Sequence, residues 1–300
     1  MDVNAQPPEG TPPAEFAIDA ALVSGLIADQ HPDLASLPLR PVDAGWDNAM
    51  YRLGDALAVR LPRRALGAQL IVHEQTWLPH LARRLTLPAP APVRAGVPGR
   101  GYPWPWSIVP WLPGTSADLS EPDPSQAERF GAFLRSLHRP APADAPHNPY
   151  RGVPLRDRAP MIESRMQRLS GRTTLLTPEI LAIWRDALAA PVDAPRTWLH
   201  GDLHARNVLV EDGSISGVVD WGDITAGDGA TDLASLWMLF DAPSARAAAW
   251  AAYGAVSSAT RARARGWAVF FGVALLDTGL VDHPGHAAIG ERTLRRVAVS

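Results

Sequence analysis

The chain has 300 residues, with 28 basic against 31 acidic side chains, a formal net charge of −3 and 46% hydrophobic residues. That length suits two lobes or one large domain with ample core, and the charge gives no basic footprint for nucleic acid. Cysteine is absent and every basic residue is arginine, which excludes disulfides, thiolate catalysis, cysteine-ligated zinc, a pyridoxal Schiff base and the lysine of a P-loop.

Met1 to Pro13 is rich in proline and polar residues and reads as a disordered tail. It lacks a basic region followed by an apolar run, so no secretory signal is expected. From Glu15 to Gln30 the residues Phe16, Ile18, Leu22, Val23, Leu26 and Ile27 recur at helical spacing. Leu37 to Arg64 alternates β-rich runs with turns, which predicts an antiparallel hairpin with a glycine-bearing bend at Gly45 to Asn48 and a Gly54-Asp55 turn. Arg60 stands in the run AVRLP. In a chain without lysine, a side chain that grips phosphates must be an arginine, a planar and permanently charged fork; an exposed edge-strand arginine fits the same pattern. Ala65 to Leu85 reads as a helix with Glu74 near its middle.

Pro88 to Gly114 is dense in proline and tryptophan and carries two β-runs, Ala91 to Gly96 and Trp104 to Trp111, before a Pro113-Gly114 break. Helices are expected over Pro124 to Arg139, Asp157 to Ser170, Pro178 to Ala190, Asp232 to Phe240, Pro243 to Ala255, Thr260 to Leu280 and His283 to Val297. Strands first and helices afterwards predict an α+β chain with a small sheet lobe and a larger helical one. The most apolar stretch, Trp267 to Leu276, is about half the roughly 20 residues needed to cross a bilayer and reads as a buried helix. No membrane partner and a cytoplasmic location are expected.

The chemistry is expected between Trp198 and Asp232, in WLHGDLHARNVLVEDGSISGVVDWGDITAGDGATD. Asp202 lies in a loop before the β-run NVLVE, where its carboxylate can accept a hydroxyl proton. A second β-run, SGVVD, ends in Asp220 and is joined to the first by the turn residues Asp212 and Gly213. The hairpin brings Asn207 near Asp220, and an amide oxygen beside a carboxylate suits Mg²⁺, which takes few protein ligands plus phosphates and water.

The spacing Asp, four residues, Asn, hairpin, Asp resembles the catalytic and metal-binding loops of protein kinases. HGD and DWGD resemble the aminoglycoside phosphotransferase family more closely, a family that includes macrolide, choline and related small-molecule kinases. The resemblance implies a protein-kinase-like fold with a nucleotide-binding lobe over residues 14–109 and a helical lobe over 110–300. It implies Asp202 as base, Asn207 and Asp220 as Mg²⁺ ligands, Asp228 and Asp232 as supports, and ATP or GTP as co-substrate. Arg60 paired with Glu74, together with Gly45 and Asn48, would then attend the nucleotide phosphates. Val109, Pro110 and Trp111 would form the hinge that meets the nucleotide base, although Trp111 equally suits core packing.

The implied acceptor is a hydroxyl of a small molecule, foremost an aminoglycoside-type antibiotic or related amino sugar, with Asp223, Asp277, Asp282 and Glu291 as candidates to meet its cations. Acidic and arginine residues nearly balance beyond Ala141, so macrolides and neutral sugars stay open. Where the family often has proline after its Gly-Asp pair, this chain has Gly229. Two other classes compete. His200, Asp202 and His204 form an HxDxH cluster of the kind found in metal-dependent hydrolases, and a kinase-like binding protein without turnover would keep the same scaffold.

Overall fold

A computed structural model describes residues 13–42 and 47–299. The expected tail up to residue 12 and the bend residue Gly45 lie outside the described residues. The chain divides into two units, one holding the described residues of Thr11–Arg84 and Pro88–Pro113, the other Leu85–Leu87 and Gly114–Ser300.

The first unit begins with α1 (Ala20–Gln30) and continues through β1 (Leu39–Pro41), β2 (Asn48–Leu53), β3 (Leu57–Pro62), α2 (Ala65–Ala82), β4 (Arg94–Gly96) and β5 (Trp106–Pro110). The strands form one antiparallel sheet in the order β1-β2-β3-β5-β4. Strand alternation sends Val59 and Leu61 to one face, where they join Val23, Leu26, Tyr51, Leu53 and Trp106 in a core closed by α1. Arg60 points to the other face, where α2 places Glu74.

The first helix starts at Ala20 rather than Glu15, because the Asp19 carboxylate accepts the Leu22 N–H at 2.8 Å and caps the helix there. Phe16 and Ile18, expected on that helix, pack on the core from chain that precedes it. Both proline-rich β-runs are also shorter than their sequence suggests, at Arg94–Gly96 and Trp106–Pro110.

In the second unit come β6 (Thr115–Ser116), α3 (Gln126–Leu137), α4 (Leu155–Leu169), α5 (Pro178–Ala189), β7 (Thr197–Leu199), β8 (Val208–Glu211), β9 (Ser214–Val218) and β10 (Thr225–Gly227). Helices α6 (Ala230–Leu233), α7 (Ser235–Leu239), α8 (Pro243–Tyr253), α9 (Ser258–Asp282) and α10 (Pro284–Ala298) complete it. The apolar stretch expected as a buried helix is the middle of α9, with Trp267, Val269, Phe270 and Val273 buried against the neighbouring helices α4, α5 and α10. Two small antiparallel pieces, β7 with β10 and β6-β8-β9, organise the loops at the candidate site. Asp212 and Gly213 both take positive φ, 48° and 75°, as a two-residue turn between Glu211 and Ser214 requires.

The single helix expected over Asp232 to Phe240 is two short ones broken at Ala234. The Ser235 hydroxyl donates to the Asp232 carbonyl at 2.6 Å, and such a local side-chain bond competes with the helical ladder. Just upstream, the Asp228 carboxylate is gripped by Arg263 of α9 through Nε at 2.5 Å and Nη2 at 3.2 Å. Both side chains are buried. Arg263→Ala leaves that carboxylate buried without its cation and is expected to cost about 3–5 kcal/mol, read as a lower midpoint in chemical denaturation. The double variant with Asp228→Asn should recover part of the loss, and an unchanged midpoint in Arg263→Ala would show that the pair carries none of the stability.

Candidate active site

Strand β7 delivers the chain into the loop His200 to His204. The loop's backbone is held by Asp232, whose buried carboxylate accepts the N–H of His200 at 2.7 Å and of Gly201 at 2.9 Å. His138 Nε2 lies 3.3 Å from the same carboxylate, and Tyr253 Oη lies 2.9 Å from His138 Nδ1.

His200 is fully buried. Its Nδ1 accepts the Asp202 N–H at 3.3 Å and its Nε2 lies 2.9 Å from the Val219 carbonyl. An amide only donates and a carbonyl only accepts, so the ring is neutral with its proton on Nε2. Burial pushes its pKa down in the same sense. Both nitrogens are spoken for, so His200 braces the loop and has no lone pair for a metal. That removes one ligand from the HxDxH cluster, and no group of three or more His, Asp or Glu side chains arranged to hold a metal is present among the described residues.

The Asp202 carboxylate meets Arg151 Nη2 at 2.6 Å and His204 Nε2 at 3.5 Å. Burial pushes its pKa up, but the Arg151 charge and the contact with His204 outweigh that and hold the carboxyl well below its ordinary range. Asn207 is buried in the short 3₁₀ turn before β8. Its Nδ2 donates to the Asp202 carbonyl at 2.8 Å and its own carbonyl accepts the Val219 N–H at 2.8 Å. The first contact turns Oδ1 away from that carbonyl, and the second sets Asn207 beside the residue before Asp220.

Asp220 does not end a strand. β9 stops at Val218, and Asp220 follows in the left-handed region at φ 60° and ψ 64°, with its residue exposed. Aspartate is among the few side chains that tolerate this conformation. Asp223 lies one short turn on, where Asn148 Nδ2 donates to its Oδ1 at 2.6 Å and Arg151 Nε lies 3.7 Å from Oδ2. Burial, reinforced by the Asp202 and Asp220 charges and opposed by Arg151, pushes the Asp223 carboxyl up to about 6.

Arg151 had no local signal in the sequence. Its loop is set by close backbone packing: a Cβ at Gly227 would stand 2.3 Å from the Gly152 carbonyl oxygen, and one at Gly152 would stand 2.8 Å from that of Ala226. A second group likewise has no local signal in the sequence. Arg206 Nη1 lies 2.9 Å from Nε2 of both His283 and His286, whose rings stack at 3.9 Å. Burial, with the Arg206 charge and the His283 and His204 rings close by, pushes the His286 pKa down to about 4.

The other acidic residues singled out in the sequence are dispersed. Asp277 is buried in α9 and takes Arg168 at 2.6 Å and Arg165 at 3.4 Å. Glu291 sits one turn from Arg295 on α10, at 3.8 Å. Asp282 is exposed at the end of α9.

In the sheet unit, Arg60 donates to Glu74, and both are buried. Asn48 opens β2, opposite Pro62, and is buried. Val109 is buried in β5 opposite Ala58. Trp111 donates its N–H to the Ala56 carbonyl at 2.8 Å, and the Arg52 guanidinium lies 4.1 Å over its ring.

A small antiparallel sheet unit and a helical unit bearing this loop define a protein-kinase-like fold. Residues 38–267 match the model of the phosphotransferase enzyme family, and the chain belongs to that family of nucleotide-dependent small-molecule phosphotransferases. Among solved structures it is similar to the GDP complex of aminoglycoside 2'-phosphotransferase-IIIa, at 19% identity and a TM-score of 0.69, covering 94% of this chain and 99% of that one. It is also similar to the macrolide 2'-phosphotransferase MphH from Brachybacterium faecium, at 21% identity and a TM-score of 0.60, covering 90% and 97%. A streptomycin-ATP-APH(2")-IIa ternary complex shares the fold at 16% identity and a TM-score of 0.56, covering 87% and 90%. A search of curated protein sequences returned no match.

The raised pKa of Asp223 makes its stability contribution depend on pH. Between its ordinary value of 3.8 and about 6 the folded chain holds a proton that the unfolded chain releases. The contribution is therefore full below 3.8 and lost as pH rises through about 6. Asp223→Asn keeps a neutral side chain throughout, so its melting temperature relative to the parent should rise between pH 4 and pH 7. A difference that stays constant across that interval would place Asp223 outside this account.

Proposed function

We propose that the chain transfers the γ-phosphoryl group of a nucleoside triphosphate, ATP or GTP, to a hydroxyl of a small molecule, with Asp202 receiving that hydroxyl. The supporting observation is the link that runs from the Asp202 carbonyl through the Asn207 amide and from the Asn207 carbonyl to Val219. It gathers one amide oxygen and two carboxylates within a single loop and hairpin.

The donor set fits Mg²⁺. Asn207 Oδ1 and the exposed Asp220 carboxylate are hard oxygen ligands, and a pair of them leaves room for phosphate oxygens and water. Bound there, Mg²⁺ would neutralise phosphate charge. Asp202, ionised under any neutral condition, orients the attacking hydroxyl by accepting its hydrogen bond. With its acidity raised by Arg151, it is a weak base, so it accepts the proton only as the hydroxyl oxygen bonds to phosphorus. Phosphoryl transfer makes its main demand on positioning and charge neutralisation, which this arrangement supplies. The buried Arg60–Glu74 pair supports Arg60 as the cation for nucleotide phosphates, because the carboxylate fixes the guanidinium in one orientation.

Fold relatives bound to kanamycin, streptomycin and gentamicin, and macrolide phosphotransferases, make hydroxylated antibiotics the first acceptors to test. Asp202→Asn is expected to lower kcat by about 10²–10⁴-fold with nucleotide affinity unchanged, as read by steady-state kinetics and calorimetry. Wild-type turnover in that variant would remove Asp202 from its role. Asp220→Ala is expected to abolish the Mg²⁺-dependent part of nucleotide binding, and an unaltered Mg²⁺ titration would count against Asp220 as a ligand.

A further inference from the structure

Two cations near Asp202, Arg151 on its carboxylate and Arg206 beyond His204, are of the wrong sign for a polycationic acceptor. Arg206 is in contact with two imidazoles and no carboxylate among the described residues. A guanidinium has only donors, so both His283 and His286 accept through Nε2 and must carry their protons on Nδ1. Both rings are thus neutral and leave the arginine's charge uncompensated. Both Nδ1–H groups are buried without an acceptor, an unusual state for a buried donor.

This cation lies on the Asp202 side of the unit. The His286 ring, which accepts from the Arg206 guanidinium, lies 6.3 Å from the His204 ring, and His204 Nε2 is the atom 3.5 Å from the Asp202 carboxylate. Arg151 brings a second cation to Asp202 itself. Of the acidic groups picked out to receive ammonium ions, Asp277 is engaged by Arg165 and Arg168 and Glu291 by Arg295. Asp118 approaches the same corner, its Oδ2 3.9 Å from where a Cβ on Gly285 would stand, but forms no ion pair with Arg206.

We propose that the acceptor is a hydroxylated small molecule bearing an anionic group, a carboxylate or a phosphate, which Arg206 binds with His204, His283 and His286 at its side. The proposal rests on the reading of Asp202 as the residue that receives the attacking hydroxyl. An anion on Arg206 anchors the acceptor one residue cluster away from Asp202. Its free hydroxyl is then presented to the carboxylate, while an amino sugar meets repulsion from Arg206 and Arg151.

The test uses the full chain with Mg²⁺ and nucleotide. Gluconate and glucose 6-phosphate serve as anionic probes, sorbitol and glucose as their neutral counterparts, and kanamycin as the cationic competitor. Calorimetry of the nucleotide with and without Mg²⁺ tests the phosphotransfer reading separately. Binding of each probe to the nucleotide-loaded protein is followed through the imidazole NMR signals of His283 and His286. Anionic probes are expected to perturb those signals and to bind at least about tenfold tighter than their neutral counterparts and kanamycin. Arg206→Gln should lose about that factor, and Arg206→Lys, which keeps the charge, should retain part of it. The relative affinities of gluconate and glucose 6-phosphate tell carboxylate from phosphate.

Tighter binding of kanamycin, silence of both rings to both anions at concentrations on the order of 10 mM, or unchanged affinity in Arg206→Gln would each overturn the proposal while Mg²⁺-dependent nucleotide binding leaves the phosphotransfer reading standing. Loss of that nucleotide binding in the wild-type chain would overturn both.

Discussion

One buried carboxylate, that of Asp232, holds the candidate site in shape. It receives two consecutive backbone N–H groups, from His200 and Gly201, and sits against the His138 ring. A carboxylate out of water is tolerated only when its oxygens are filled in this way, and the same filling leaves the loop one conformation. From there the order spreads outward. His200 is fixed by the loop and fixes Val219; Val219 is bound to Asn207; Asn207 is bound to the Asp202 carbonyl. Four residues upstream, Asp228 binds Arg263 of α9, so one short segment ties the loop to β7 and to the central helix of its unit.

The absence of lysine gives this arrangement a particular character. Each structural cation is a guanidinium, which spreads its charge over three nitrogens and reaches several partners at once. Arg263 serves Asp228, Asp193 and the Pro191 carbonyl; Arg296 serves Glu121, Asp241 and the Met238 carbonyl. Arg151 does the same between Asp202 and Asp223: with His204 it outweighs burial at Asp202 and holds that carboxyl down, while at Asp223 burial outweighs it and the carboxyl is raised. Two carboxylates of the same chemical type thereby present different charge at the same pH, which is how polar sites divide roles.

What the sequence discloses is what local spacing can encode. The interval from Asp202 to Asn207, the Asp212-Gly213 turn and the second β-run place the amide oxygen and the Asp220 backbone within one hairpin, because turn chemistry and register act over a few residues. Arg151 is 51 residues from Asp202, and His283 and His286 are 77 and 80 from Arg206. No periodicity carries such partnerships. Abundant arginine also reads as a compositional habit, which hides that Arg60, Arg165, Arg263 and Arg296 are buried. Asp277 misleads for the same reason, since its partners lie on α4. Asp19 moved a helix start and Ser235 broke a helix by each taking a backbone group for itself.

The touching glycines at 152 and 227 give the site a mechanical gauge. The bare backbone of Gly227 lets the Arg151 loop settle within hydrogen-bonding range of Asp202, with no side chain between the two chain segments. The thickness of a methyl group inserted at either position would act as a spacer, lifting the guanidinium off the carboxylate without touching either. The charge that faces Asp202 thus depends in part on the absence of an atom on the far side of the loop, while every charged residue stays in place.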